Sequence, residues 1–403
     1  MFTSINDANN WIMNKRNTNY SFERFKYVCS LLNNLQDDLK IVHVAGTDGK
    51  GSTVSYLCDL LMSQGYKVGT FTSPHYVVHQ DRIRVNKNNI PDVKFIEILN
   101  KYYDFFTQHN LSMFEMDFII MCEYFKLEKI DIAIIEVGLG GRLDSTNVIN
   151  NPLLSIITTI GYDHMERLGN TLPLICKEKC GIIKDNSKVL IGHLDDDCNK
   201  VVEEECKKHN SELFVLGKLN DLGDRKFEYD NETYELSSYA KYQIHNASLA
   251  LYAFNIISNI LSFVINIDLA KKALQLSNWN CRFEIVKNKP LVILDGAHNI
   301  HGIEALCESF DKFDGSKCII FSALKRKEYL KMVETLKSHC DKLVITTFDN
   351  NEVIDLFEFK DYETNNNYID AIDKAIKEYD NILICGSLYF MSEVVLNYKF
   401  DKI

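Results

Sequence analysis

Residues 41–52 read IVHVAGTDGKGS, a β-branched apolar run that breaks at Gly46 into a glycine-rich turn carrying Lys50 and Ser52. A strand that stops at a glycine and restarts as a helix aims backbone N–H groups at one point in space. Phosphate suits that point: glycines allow close approach, the helix N-terminus favours negative charge, a lysine reaches the outer phosphates, and a hydroxyl can ligate magnesium. Gly46, Thr47, Gly49, Lys50, Gly51 and Ser52 are therefore the candidates for nucleotide contact. The general pattern G-x-x-x-x-G-K-[ST] is not met, because two residues separate Gly46 from Gly49 and Gly51 intervenes between Lys50 and Ser52. The segment is a shorter form, G-T-x-G-K-G-S. A glycine-rich turn after a strand is often only a turn, so the remainder of the chain has to agree with it.

At 403 residues the chain exceeds one ordinary core, and two domains are expected. Apolar residues at 46% and charged residues at 25% describe a soluble globular protein. A net charge of −11 argues against a nucleic-acid binder and against adhesion to anionic membranes. Positive charge for an acidic ligand must then be local, and Lys50, Arg82, Arg142, Lys179 and Arg282 are the candidates. The twelve cysteines contain no C-x-x-C pair, which predicts free thiols in a reducing compartment. Cys176 and Cys180 flank Lys179 and read as small apolar helix residues rather than metal ligands. Residues 1–17 lack the basic start and apolar core of a signal peptide, and no run approaches the roughly 20 apolar residues of a membrane span. A cytoplasmic protein is expected.

Apolar runs alternate with helical patterns throughout, which predicts an α/β fold with a mainly parallel sheet. Strands are expected at 41–44, 67–71, 131–137, 153–159 and 188–191, and helices at 52–64, 95–109 and 114–127. Residues 195–240 change character, with an acidic helix and short strands at 226–229 and 233–236. They read as a small β-rich excursion on the edge of the first domain. After a helix at about 242–261 the pattern restarts, with strands at 291–294, 318–321, 342–346 and 381–385, as a smaller Rossmann-like domain. The expected division is 1–278 and 279–403.

Glu136 closes a buried strand and opens EVGLGGRLDSTN, so a carboxylate stands at the carboxyl end of a parallel strand, where α/β sheets bind ligands. Arg142, Asp144 and Asn147 follow in the same block. TTIGYDHMERLGNT places His164 after the next strand, and KEKCGIIK contains Lys179. TSPH at 72–75 precedes DRI at 81–83. YQIHNA at 242–247 carries Gln243 and Asn246. In the second domain WNCRFE and LDGAHN supply Arg282, Asp295, His298 and Asn299, and CGSLY supplies Ser387.

These blocks, in consistent order from about residue 20 to 395, resemble the folylpolyglutamate synthase/dihydrofolate synthase family of the Mur ligase superfamily. The resemblance implies an ATP-dependent amide ligase with an N-terminal P-loop-type domain and a C-terminal glutamate-ligase domain. Its substrates would be ATP, L-glutamate and a reduced folate or dihydropteroate, with two Mg²⁺ ions as cofactors. It makes Lys50, Glu136, His164 and Lys179 the catalytic set. Ser52, Ser73, Glu136 and His164 become metal ligands, with Ser73 and Glu136 on the first ion and His164 on the second. Imidazole is an unusual ligand for hard Mg²⁺, so carboxylates and phosphate oxygens would supply most of the affinity. Asn246, Arg282 and Asp295 join the loop residues as nucleotide contacts, and Asp295, His298 and Ser387 receive glutamate. Lys179 is carbamylated in related enzymes. Residues 72–83 correspond to a mobile loop near the phosphates and the pterin-bearing substrate.

Departures stand against the pattern: Asp48 replaces Asn in the loop, Asp81 replaces Glu and is left out of the site, Cys180 replaces Ala, Tyr242 replaces His, and Lys325-Arg326-Lys327-Glu328 stands where the family has D-K-D. A peptidoglycan Mur ligase shares the chemistry, although FEMD at 114–117 and GSLY at 386–389 favour the folate branch. A non-synthetic P-loop NTPase and a paralogue that binds ATP without turnover also stay open. The self-contained two-domain plan makes a monomer the default, with no nucleic-acid or membrane partner.

Overall fold

The computed structural model describes residues 1–15 and 20–400. Among these residues, strands β1 (Ile41–Ala45), β2 (Val68–Phe71), β3 (Ile83–Val85), β4 (Asn88–Asn89), β5 (Ile132–Glu136), β6 (Leu154–Ile157), β7 (Lys188–Ile191) and β8 (Glu212–Val215) form one sheet in the order β4-β3-β2-β5-β1-β6-β7-β8. It is parallel from β2 to β8, and β3 and β4 add antiparallel at one edge. Every residue of β1 and β5 is buried, and apart from His43 and the terminal Glu136 these strands are apolar throughout rather than alternating. That is the mark of a sheet covered on both faces. Phe71, Phe95, Phe118 and Phe125 fill one side, beneath the helices Asp92–Gln108 and Met113–Glu128. Ile157, Cys176, Cys180, Val189, Cys198 and Val202 fill a second cluster.

Strands β9 (Asn220–Gly223), β10 (Lys226–Tyr229) and β11 (Glu232–Glu235) form a separate antiparallel meander. Its two-residue turns, Asp224-Arg225 and Asp230-Asn231, have positive φ at both positions, which matches the twist of the flanking strands. The last sheet has the order β12-β13-β17-β14-β15-β16, built from β12 (Glu284–Asn288), β13 (Leu291–Leu294), β14 (Lys317–Phe321), β15 (Lys342–Thr346), β16 (Glu363–Asn365) and β17 (Asn381–Cys385). Only β12 runs antiparallel to its neighbour. Ile293, Phe310, Ile319, Phe321 and Leu383 lie in its core.

The expected architecture, a large mainly parallel sheet domain and a smaller α/β domain, is the one found. Contacts divide the chain into Met1–Lys218 with Asn246–Leu274, and Leu219–His245 with the chain from Gln275 on. The β-rich excursion, expected on the edge of the first domain, thus groups with the second unit. The reason is packing: Tyr239 stacks edge-on against Phe313 with ring centroids 5.7 Å apart, and the Lys241 N–H donates to Ser309 Oγ at 3.1 Å. All twelve cysteines are free, and only Cys340 is not fully buried. Among the described residues no helix is long and apolar enough to cross a membrane.

Candidate functional site

β1 delivers the glycine-rich loop to the 14-residue helix Lys50–Ser63. Gly49 caps that helix at φ +79°, and Gly46 lies at φ +153°. Both positions require glycine for space as well as conformation. A Cβ on Gly46 would fall 1.8 Å from Thr158 Oγ1, and one on Gly49 would fall 2.3 Å from Asn246 Oδ1. The exit of β6 stitches the loop in place: Thr47 N donates to Thr159 O at 2.8 Å, Asp48 N to Thr159 Oγ1 at 3.0 Å, and Gly161 N to Thr47 Oγ1 at 2.9 Å. The first intrahelical bond is Thr53 N to Gly49 O at 2.8 Å. The N–H groups of the first turn thus have no acceptor within the helix, which fits a phosphate.

Lys50 Nζ folds back to the carbonyls of Gly46 (2.9 Å) and Thr47 (3.0 Å), and Lys179 Nζ reaches the same Gly46 oxygen at 2.8 Å. Lys179 is 4% exposed. Burial, reinforced by the Lys50 charge, pushes its pKa down to about 7, while Asp163 and Asp48 pull the other way. The unexpected Asp48 therefore bears on a lysine as well as on the phosphate site.

β5 lies beside β1 and carries Glu136 at its end, and β2 beyond it leads to Ser73. The two meet: Ser73 N donates to Glu136 Oε2 at 3.2 Å. His164, at φ +51°, opens the short helix Met165–Leu168 after β6. It lies 3.8 Å from the Asp163 carboxylate and 3.7 Å from that of Glu166. Glu136 and His164 end consecutive strands of the sequence, but β1 separates β5 from β6 in the sheet, at about 4.8 Å per strand. Among the described residues no group of three or more His, Cys, Asp and Glu side chains is gathered as a metal cage. Mg²⁺ needs none, since it keeps several waters and binds through one or two carboxylates plus phosphate oxygens. Glu136, with Ser73 against it, has the oxygen chemistry that such an ion takes.

The segment expected as a mobile loop carries a network of polar contacts. Asp81 accepts the N–H groups of Tyr76 (2.9 Å), Val77 (2.7 Å) and Val78 (3.2 Å). His79 Nε2 lies 2.8 Å from Asp117 Oδ1, and Arg82 Nε 3.6 Å from Asp117 Oδ2. Arg82 Nη2 in turn reaches His75 Nδ1 at 3.2 Å. Arg82 and Asp81 are nearly buried and Asp117 is completely so. Burial, with Arg82 alongside, pushes the His75 pKa down to about 4. His79 was not singled out from the sequence, and Asp117 entered only as the last residue of the FEMD block. Glu115 of the FEMD block caps its own helix: Ser112 N donates to Glu115 Oε2 at 2.7 Å, and Arg24 pairs with the same carboxylate.

The block after Glu136 divides sharply. Arg142, expected among the local positive charges, is 56% exposed and pairs with Glu178 at 2.7 Å. Asn147 Nδ2 donates to Arg142 O and Gly181 O, both at 3.0 Å. Asp144 accepts from Thr146 N at 2.9 Å and Leu139 N at 2.8 Å, and its pKa is raised by burial. These residues clamp their loop to the helix Leu172–Cys180, which carries Lys179.

In the second unit β13 ends at Asp295, whose carboxylate is already engaged. Oδ2 accepts from Tyr242 OH at 2.6 Å and Phe283 N at 2.7 Å, and Oδ1 accepts from Ala297 N at 2.7 Å. Burial raises its pKa and the neighbouring Arg282 charge opposes that. Tyr242, a departure from the expected histidine, is thus a partner of the site. Arg282 Nη1 would lie 3.0 Å from a Cβ on Gly296. His298 Nδ1 donates to Gly296 O at 2.9 Å. Asn299 caps the helix Ile300–Phe310 through Gly302 N at 2.7 Å. Ser387, 3% exposed, caps Leu388–Asn397 after β17. Arg326 of the basic loop after β14 pairs with Glu352 at 3.2 Å.

The Mur ligase middle domain family matches residues 44–266, and the Mur ligase, glutamate ligase domain family matches residues 281–388. The dihydrofolate synthase/folylpolyglutamate synthase of Bacillus subtilis (strain 168) is 32% identical, over 98% of this chain and 99% of its own length. The dihydrofolate synthetase of Saccharomyces cerevisiae is 31% identical, over 90% of this chain and 94% of its own. Among solved structures, Mycobacterium tuberculosis folylpolyglutamate synthase complexed with ADP shares the fold, with a TM-score of 0.89 at 23% identity and 99% of each chain covered. An FPGS–AMPPCP–folate complex matches with a TM-score of 0.84 at 26% identity, over 97% of this chain and 98% of the other.

Proposed function

The chain belongs to the Mur ligase family, in the branch of the folylpolyglutamate and dihydrofolate synthases, and from that premise we propose how its residues divide the work of an ATP-dependent ligase. The reaction joins L-glutamate to the carboxylate of a reduced folate or of dihydropteroate. An oxygen of that carboxylate attacks the γ-phosphorus in line and ADP leaves. The glutamate amine then attacks the acyl carbon, the amide C–N bond forms, and phosphate departs with loss of an amine proton. Activation is needed because a free carboxylate is a poor acyl donor.

The observation that carries this reading is the glycine-rich loop, with its first-turn N–H groups, Lys50 above two loop carbonyls, and Glu136 on the adjoining strand. Gly46, Thr47, Gly49, Gly51 and Asn246 shape the phosphate cradle, and Lys50 offsets the charge that develops on the transferred group. When bound, Mg²⁺ supplies further neutralisation of the phosphoryl oxygens; Ser52, Ser73 and Glu136 would hold one ion and His164 a second. Arg282 and Asp295 are assigned to the nucleotide, and Asp295, His298 and Ser387 to glutamate. Lys179 is assigned to carbamylation, in which a neutral amine bonds to CO₂ and releases a proton. Its pKa of about 7 supports that assignment, since the neutral amine is then well populated.

The proposed division is an ATP-binding domain at 1–278 and a glutamate-ligase domain at 279–403, of which 401–403 lie outside the described residues. The matched spans support it. The free thiols support a reducing, cytoplasmic setting, and a monomer is proposed. The test is ADP release with Mg-ATP and L-glutamate, comparing dihydropteroate with tetrahydrofolate. Turnover with both gives a bifunctional synthase, and turnover with tetrahydrofolate alone gives a polyglutamate synthase. Silence with both, from folded protein that binds ATP, would refute the folate reading and direct the test to muropeptide acceptors.

A further inference from the structure

We propose that Asp117 is a positioning residue for the reaction: through Arg82 it fixes the orientation of the His75 ring, with Nδ1 accepting from the guanidinium and Nε2 turned out as the N–H donor, close in the chain to Ser73. This rests on the reading of residues 72–83 as a loop near the phosphates and the pterin-bearing substrate of the proposed ligase.

The argument begins with what a guanidinium can do. Arginine has five N–H donors and no acceptor, so the 3.2 Å contact of Arg82 Nη2 with His75 Nδ1 can only be a donation to a bare ring nitrogen. The single ring proton must then sit on Nε2. An imidazolium, or the other tautomer, would set one N–H against another.

What holds Arg82 there is a buried charge. Its side chain is 5% exposed and that of Asp117 is 0% exposed. A charge so placed needs a partner, and Asp117 provides it at 3.6 Å. The other carboxylate oxygen takes His79 at 2.8 Å, so Asp117 grips the segment at two points. Asp81 gathers the three N–H groups between them, and Ser73 N is tied to Glu136. The stretch from Ser73 to Arg82 is thereby referenced to the helix Met113–Glu128 and to β5 at once. His75 is half-buried, whereas the other imidazole of that stretch, His79, is buried. Its chemistry is that of a donor to a phosphoryl or acyl oxygen. It cannot serve as a base at Nδ1 while Arg82 remains.

The test uses the full chain labelled with ¹⁵N-histidine. Two-bond ¹H–¹⁵N spectra report which ring nitrogen carries the proton, and His75→Gln identifies the signal. The parent is expected in the Nε2–H form. Asp117→Asn removes the counter-charge but leaves Arg82 buried, so the paired variant Asp117→Asn/Arg82→Met, which removes both charges together, guards against simple unfolding. It is expected to move His75 to a mixture of tautomers and to lower kcat roughly 10- to 100-fold through misplacement, with the Kd for ATP within about twofold of the parent. A parent in the Nδ1–H form would overturn the proposal. So would a paired variant that keeps the parent spectrum and kcat. A folded parent that shows the Nε2–H form yet releases no ADP with any acceptor would overturn the ligase reading and the catalytic part of this proposal, while supporting the tautomer assignment.

Discussion

Replacing Gly49 by alanine tests the nucleotide loop at its tightest point. Two penalties add. The residue sits at φ +79°, where an L-side chain costs about 1–2 kcal/mol. The new methyl would also fall 2.3 Å from Asn246 Oδ1 and 3.2 Å from its Cγ, so one of the two groups must move by close to an ångström. Asn246 is 4% exposed on the helix Lys241–Leu261 and has little room to yield. Overpacking of this kind costs about 1–3 kcal/mol. Gly49→Ala should therefore lose about 2–5 kcal/mol, against a total of about 5–15 kcal/mol for a typical fold. Because the helix N-terminus shifts with the loop, ATP affinity should fall about tenfold or more. Asn246→Ala, made in the same background, removes the collision but not the backbone penalty, and should recover about 1–3 kcal/mol. Urea unfolding of the four proteins gives the coupling energy directly, and calorimetric titration gives the ATP affinity. A coupling below about 0.5 kcal/mol would refute the packing argument, and unchanged ATP binding by Gly49→Ala would refute the cradle.

Lys179 predicts a pH dependence whose sign can be fixed. Its folded pKa of about 7 lies below its ordinary 10.5, so the unfolded chain binds the extra proton between those values and stability rises with pH across that window. The parent should gain up to about 2–3 kcal/mol between pH 7 and 9, and Lys179→Met should lose that slope; identical slopes in urea unfolding would contradict the burial argument. Arg142→Ala should cost no more than about 1 kcal/mol and leave ADP release intact, because the Glu178 pair is exposed; a large loss of kcat would return Arg142 to the site. Glu136→Gln keeps an acceptor for Ser73 N but removes the charge. It should lower ADP release roughly 100-fold and raise the Mg²⁺ concentration needed, with the melting temperature little changed; normal activity at limiting Mg²⁺ would sink the metal assignment.

The parts of this protein that were legible in its sequence are those that a local rule dictates. Gly46 and Gly49 announce themselves because few other residues tolerate their φ and close contacts, and Glu136 because an acid ends an apolar strand. Pairings across the fold left no such mark. Asp117 lies 38 residues from His79, and Asp295 lies 53 from Tyr242, and no periodicity links either pair. Tyr242 looked like a defect in a pattern, yet its hydroxyl holds Asp295. Arg142 was misjudged for a related reason. Its charge was visible, but the claim of Glu178 on it depends on how Gly141 lets its loop approach the Glu178 and Lys179 carbonyls and Gly181 takes the Arg142 backbone against it.

The interleaving of the two units bears on how the chain is made. The meander at 219–245 interrupts the first unit, which resumes with 246–274, and the meander belongs with strands that begin only at residue 284. A nascent chain emerging at about 5–20 residues per second therefore completes this meander, with Phe227 stacked on Tyr234, several seconds before the rest of its unit exists. A protein shortened to its first 278 residues would make that interval permanent. The boundary proposed at residue 278 thus parts the meander from its own unit, and a chain grown only that far holds the first unit together with an incomplete piece of the second.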